Sequence, residues 1–166
     1  MIYEFCAENV TLLEKAMQAG ARRIELCDNL AVGGTTPSYG VTKAAVELAS
    51  DYDTTIMTMI RPRGGDFVYN DLEISIMLED IRVTAQAGSQ GVVFGALTAD
   101  KKLDKFNLEK LIAASKGMEI VFHMAFDELS DEDQLEAIDW LSQAGVTRIL
   151  TRAGVSGDSL EKRFVH

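Results

Sequence analysis

The sequence predicts an α/β fold, a TIM (β/α)8-type barrel represented by about six β-α units, and three observations carry that reading. Short β-type runs alternate strictly with helix-length amphipathic segments, a pattern that favours a parallel sheet covered by helices. A motif recurs as "QAGARRIEL" at 18–26, "QAGSQGVVF" at 86–94 and "QAGVTRILT" at 143–151. It marks the second, fourth and sixth strands, so the repeating unit is a pair of β-α modules, which suits a closed barrel better than an open doubly wound sheet. Length is the third: 166 residues suffice for one domain with a real core, whereas a complete barrel takes about 250.

The elements follow in order. A first strand at 1–6 leads to a helix near 9–18, and a second at 22–27 to a helix near 40–50. The third strand, 54–60, runs into "MIRPRGG", where Pro62 stiffens the exit and Gly64 and Gly65 let the backbone turn towards a helix at 71–87. That helix carries Leu72, Ile76, Leu78 and Ile81 at roughly helical spacing. A fourth strand at 91–95 precedes a helix at 106–115, a fifth at 119–124 precedes one at 131–143, and a sixth lies at 147–151. In each copy of the repeat a glycine (Gly20, Gly88, Gly145) falls where a left-handed residue ends a helix. Past Thr151, "SGDSLEKRF" at 156–164 reads as the start of another helix capped by Asp158 or Ser159. Residues 1–166 are therefore expected to form a single barrel domain lacking its last two strands and helices.

Composition narrows the partners. A net charge of -10 repels nucleic acid and anionic membrane surfaces, both of which are held through clusters of Lys and Arg. The longest apolar runs, such as "GVVFGAL" at 91–97, are far too short to span a bilayer, and "MIYEFCAENV" has no secretory pattern. A soluble cytoplasmic protein is expected, with its two cysteines, Cys6 and Cys27, reduced.

Strand parity selects the interior residues, because the outer face of a barrel strand packs on helices and the inner face builds the site near the C-terminal ends. With Tyr3, Phe5, Ile24, Leu26, Ile56, Ile60, Ile120 and Phe122 outward, the inner face receives Glu4, Cys6, Glu25, Cys27, Met57, Met59, Arg61 and His123. Asp127 lies beyond His123, and Arg63 shares the parity of Arg61 if the chain stays extended through Pro62. Such a set suits proton transfer on a small anionic molecule: Arg61 and Arg63 hold the anion while Glu25, His123 and Asp127 move protons. The same residues also fit a structural Glu25–Arg61 ion pair and a satisfied core histidine. The sulfurs of Cys6, Cys27, Met57 and Met59 are soft donors of the kind Cu(I) favours, and equally the ordinary contents of a core.

With the strands placed, the sequence resembles the CutC copper homeostasis protein family. The blocks that carry the resemblance are "EFCAEN" at 4–9, "GARRIELCDNLAVGGTTPSYG" at 20–40, "MIRPRGGDFVYND" at 59–71, "GVVFGALTAD" at 91–100, "FHMAFD" at 122–127 and "RILT" at 148–151. The resemblance implies a TIM barrel, a cytoplasmic location and a role in copper homeostasis, with Cys6 and Cys27 as Cu(I) ligands. Many members carry Arg where this chain has Met124, and a small residue or His where it has Arg152. The family also continues through a seventh and an eighth strand, so exposed barrel edges are expected to pair with a second copy as a homo-oligomer.

Overall fold

The computed structural model describes residues 2–152. Six parallel strands form one sheet in the order of the chain: β1 (Glu4–Glu8), β2 (Arg23–Cys27), β3 (Thr55–Met59), β4 (Gly91–Phe94), β5 (Glu119–Phe122) and β6 (Arg148–Ile149). Five helices connect them: α1 (Leu13–Gln18), α2 (Tyr39–Ala49), α3 (Asp71–Gln86), α4 (Lys105–Ala114) and α5 (Asp131–Gln143). The sheet curls into part of a barrel, as sequential parallel strands with helical crossovers dictate. Every strand and helix predicted within the described residues is present. The helix start expected at 156–164 lies outside the described residues.

The repeated glycines act as their position predicts. Gly20, Gly88 and Gly145 have φ of 100°, 89° and 89°, and each closes a helix one residue past its C-cap. In each case the next amide reaches back five residues, Ala21 to Ala16, Ser89 to Thr84 and Val146 to Leu141, which satisfies a helix-terminal carbonyl before the strand begins.

Parity holds throughout. The outward residues Ile24, Leu26 and Ile56 pack with Leu13, Met17, Ala45 and Ala49, while Val92, Phe94, Ile120 and Phe122 pack with α3, α4 and α5. A separate inner cluster joins Cys27, Met57, Met59, Val93 and Val121. One helix face differs from expectation: α3 buries Ile74, Met77, Ile81 and Thr84, and Leu72 and Ile76 stay exposed. Apolar residues at 72, 74, 76, 77, 78 and 81 offer more than one stripe, and packing against the sheet selects the one at 74, 77 and 81.

Candidate functional site

The inner wall of β1 and β2 brings three donor groups together. Parallel register sets Cys6 opposite Glu25, and Cys27 follows on the same face two residues later. The Cys6 thiol lies 3.5 Å from Glu25 Oε1, the Cys27 thiol 3.8 Å from the same oxygen, and the two sulfurs are 3.9 Å apart. All three ligand atoms fall within 4.8 Å of one another. Cys27 and Glu25 are buried and Cys6 is exposed, so the group runs from the solvent edge of β1 into the interior. Burial is the main reason the Glu25 carboxyl stands above its ordinary pKa, against which the Cys6 hydrogen bond works. The Cys27 thiol is raised too, first by its hydrogen bond with Cys6, then by burial and the Glu25 charge. Gly34 allows this close packing: a β-carbon there would meet Cys27 Sγ at 3.1 Å.

Arg61 leaves the end of β3 on the same inner side and is 3% exposed. It makes no ion pair with Glu25. Nη1 donates to the carbonyls of Val32 (2.8 Å) and Gly34 (3.0 Å), and Nη2 to Gly65 (2.7 Å). Thr36 fixes the strand end, its hydroxyl accepting from the Arg61 amide at 2.9 Å. The guanidinium thus ties two loops together as a buried cation held by carbonyl dipoles, with its Cζ 4.9 Å from the Phe67 ring.

His123 stands at the end of β5, 1% exposed, with its ring 4.8 Å from that of Phe67. Its Nδ1 accepts from the Ala125 amide at 3.2 Å, which puts the ring proton on Nε2. Burial, with the Arg61 charge behind it, pushes the imidazole down to about 3, so it is neutral near pH 7. In that form the ring offers Nε2 as a neutral hydrogen-bond donor.

The other expected site residues point elsewhere. Arg63 is not on the inner face with Arg61: its Nε meets Glu73 Oε1 at 2.5 Å, Nη2 donates to the Val68 carbonyl at 2.7 Å, and Asp66 lies 3.1 Å away. The chain turns at Pro62 and Gly64, and Arg63 becomes the clamp of the 63–73 loop. Asp127 accepts from the Thr151 hydroxyl at 2.5 Å and the Arg152 amide at 2.9 Å, fastening the segment after β6. Glu4, at the opposite end of the strands, pairs with Arg23 at 3.5 Å. No hydrogen bond links Glu25, His123 and Asp127 to one another among the described residues. Two side chains that parity missed, Phe67 and Tyr69, line the Arg61 loop; the signal for them was the pair of aromatics directly after "RPRGG".

The whole-chain comparison decides the family. Residues 1–163 match the CutC family, and CutC of Enterococcus faecalis is 54% identical over 166 residues, covering 100% of this chain and 79% of the relative. The chain belongs to the CutC family. A solved CutC structure from Streptococcus agalactiae, a candidate copper homeostasis protein, superposes with a TM-score of 0.94 at 47% identity, over 98% of this chain and 78% of that one. A Schiff-base-forming fructose-1,6-bisphosphate aldolase shares the fold alone, with a TM-score of 0.61 at 15% identity over 84% of this chain and 53% of the aldolase. Met124 and Arg152 are neighbours in space, the Arg152 guanidinium resting against the Met124 sulfur.

Proposed function

We propose that this CutC family protein binds Cu(I) through Cys6 and Cys27 and serves copper homeostasis in the cytoplasm. The observation that carries the reading is the cluster of two thiols and a carboxylate within 4.8 Å on the inner wall. Two thiolates select soft or borderline ions such as Cu(I) and Zn(II) over hard cations. The donor spacing supports the fit: with metal–sulfur bonds of about 2.3 Å a linear pair would span about 4.6 Å. At 3.9 Å the sulfurs instead favour a bent pair that a third donor completes, and Glu25 Oε1 stands on that side. The description of the Streptococcus agalactiae relative as a candidate copper homeostasis protein favours copper. No helix among the described residues is long and apolar enough to cross a membrane.

Anaerobic titration with Cu(I), and in parallel with Zn(II), tests the proposal on wild type and on the double variant Cys6→Ala with Cys27→Ala. Loss of tight Cu(I) binding in the double variant is expected. Equal affinity in both proteins would remove the site, and a preference for Zn(II) would remove copper as its ion. Self-association belongs to the same reading: among the described residues β1 and β6 edge the sheet, and Tyr3, Phe5 and Leu12 are exposed beside the first. Sedimentation velocity over a concentration series is expected to show a homo-oligomer, and a monomer throughout would exclude it.

A further inference from the structure

Buried polar groups are almost always hydrogen-bonded, so those that are not ask for an explanation. Three such atoms belong to residues at or just beyond the C-terminal strand ends: Arg61 Nε, His123 Nε2 and the Tyr69 hydroxyl, none with a partner among the described residues. Their residues are 3%, 1% and 7% exposed. All three present a hydrogen. Arg61 Nε carries one always; His123 Nε2 carries one because Nδ1 accepts from Ala125; and burial holds the Tyr69 phenol protonated by pushing it up to about 12.

The fold brings Arg61 and His123 against one ring, that of Phe67. Arg61 follows β3, Gly95 follows β4 and His123 follows β5, so β4 separates the two side chains. At Gly95 a β-carbon would lie 2.7 Å from His123 Cε1 and Nδ1, so the imidazole lies across β4 in the space left by the missing side chain. That lean carries it towards β3, where the Phe67 ring contacts both the imidazole and the Arg61 guanidinium. Tyr69 completes the group: the Arg61 charge acts on its phenol, whose hydroxyl has no hydrogen-bond partner among the described residues.

We infer that Arg61 Nε, His123 Nε2 and the Tyr69 hydroxyl form a binding site for a small monocarboxylate, separate from the Cys6–Glu25–Cys27 group. Charge selects the class. Arg61 is in no ion pair among the described residues, Arg63 over the Tyr69 ring is already matched by Glu73 and Asp66, and the other two donors are neutral, so one negative charge balances the site and a phosphate dianion leaves an excess. Donor geometry agrees: the two oxygens of a carboxylate offer about four lone-pair positions, enough for three donors. A neutral imidazole that donates to a carboxylate or carbonyl oxygen also polarises that oxygen without transferring its own proton.

The test uses the full chain, metal-free, with nitrogen-15 in its two histidines. Sodium acetate is titrated at constant ionic strength against sodium chloride, with inorganic phosphate in parallel. The expected result is a saturating shift of the His123 ring resonances with acetate that chloride does not produce and phosphate produces more weakly. Arg61→Lys keeps the charge but loses Nε and is expected to bind acetate about tenfold or more weakly, as is Tyr69→Phe through loss of its donor. An unresponsive wild type overturns the site without recourse to any variant. Phosphate binding as tightly as acetate overturns the monocarboxylate assignment, and wild-type acetate affinity in folded Arg61→Lys and Tyr69→Phe overturns the residues.

Discussion

Cys6 Sγ and Cys27 Sγ stand 3.9 Å apart, and one oxygen of Glu25 is within hydrogen-bonding reach of both. The relationship follows from strand register: Cys6 is opposite Glu25, and Cys27 is two residues further along the same face. Thiols donate to that oxygen, so the metal-free site holds its protons, and the raised Cys27 and Glu25 groups hold them more firmly than free side chains do.

Metal binding is therefore expected to release protons, because thiolates and not thiols are the ligands. The Cys27 pKa lies above its ordinary value, so at any pH below it the metal must displace that proton. Conditional Cu(I) affinity should rise with pH by about tenfold per unit for each proton displaced, or up to a hundredfold if both thiols lose one. Competition titrations between about pH 6 and 8 measure the slope. A flat profile would mean that the thiols are not the ligands.

Gly95→Ala is the second expectation. A β-carbon at this buried position lies 2.7 Å from the His123 ring and 3.1 Å from the Ala125 side chain, so the imidazole must move. Overpacking of this kind costs about 1 to 3 kcal/mol. Denaturant unfolding should register that loss, and the His123 ring resonances should shift. Wild-type stability together with unshifted resonances would place the ring away from Gly95.

Much of the architecture was legible because it depends on short-period patterns. The alternation Ile24, Glu25, Leu26, Cys27 fixes which side of β2 faces the interior, and the "QAG" repeat fixes three helix ends and the strands that follow. What was not legible depends on loops. Arg63 sits two residues after Arg61, but its direction is decided by Glu73 and Asp66 once the chain has turned, and no periodicity runs through a proline and two glycines. Asp127 lies in the 3-10 turn Met124–Glu128, where strand parity no longer applies. Likewise α3 carried too many apolar residues for sequence alone to choose its face.

Arg63→Ala is expected to weaken the 63–73 loop without altering Cu(I) affinity. The side chain bridges Glu73, Asp66 and the Val68 carbonyl, yet it is 38% exposed, so solvent screens the ion pairs and the stability lost is about 1 kcal/mol or less. Glu73 also serves the capping box of Asn70 at the start of α3, so proteolysis near that helix end is a sensitive readout. A large fall in Cu(I) affinity would instead tie the loop to the metal site.

His123 gives the last expectation its sign. In the folded protein its pKa is lowered to about 3 by burial and by Arg61, against an ordinary value of 6.5. Between those two values the unfolded chain binds a proton that the folded chain does not, so stability is full above 6.5 and is lost as pH falls towards 3. Over that window one proton is worth about 1.4 kcal/mol per pH unit. The lowered carboxyls of Asp66, Glu73 and Asp133 add acid sensitivity of the same sign, so the informative quantity is the difference between wild type and His123→Phe. Urea midpoints at descending pH should fall less steeply in the variant, by up to one proton. Parallel slopes would show that the imidazole titrates in the folded protein as it does in the unfolded chain, and the neutral donor assigned to the mouth would be lost with it.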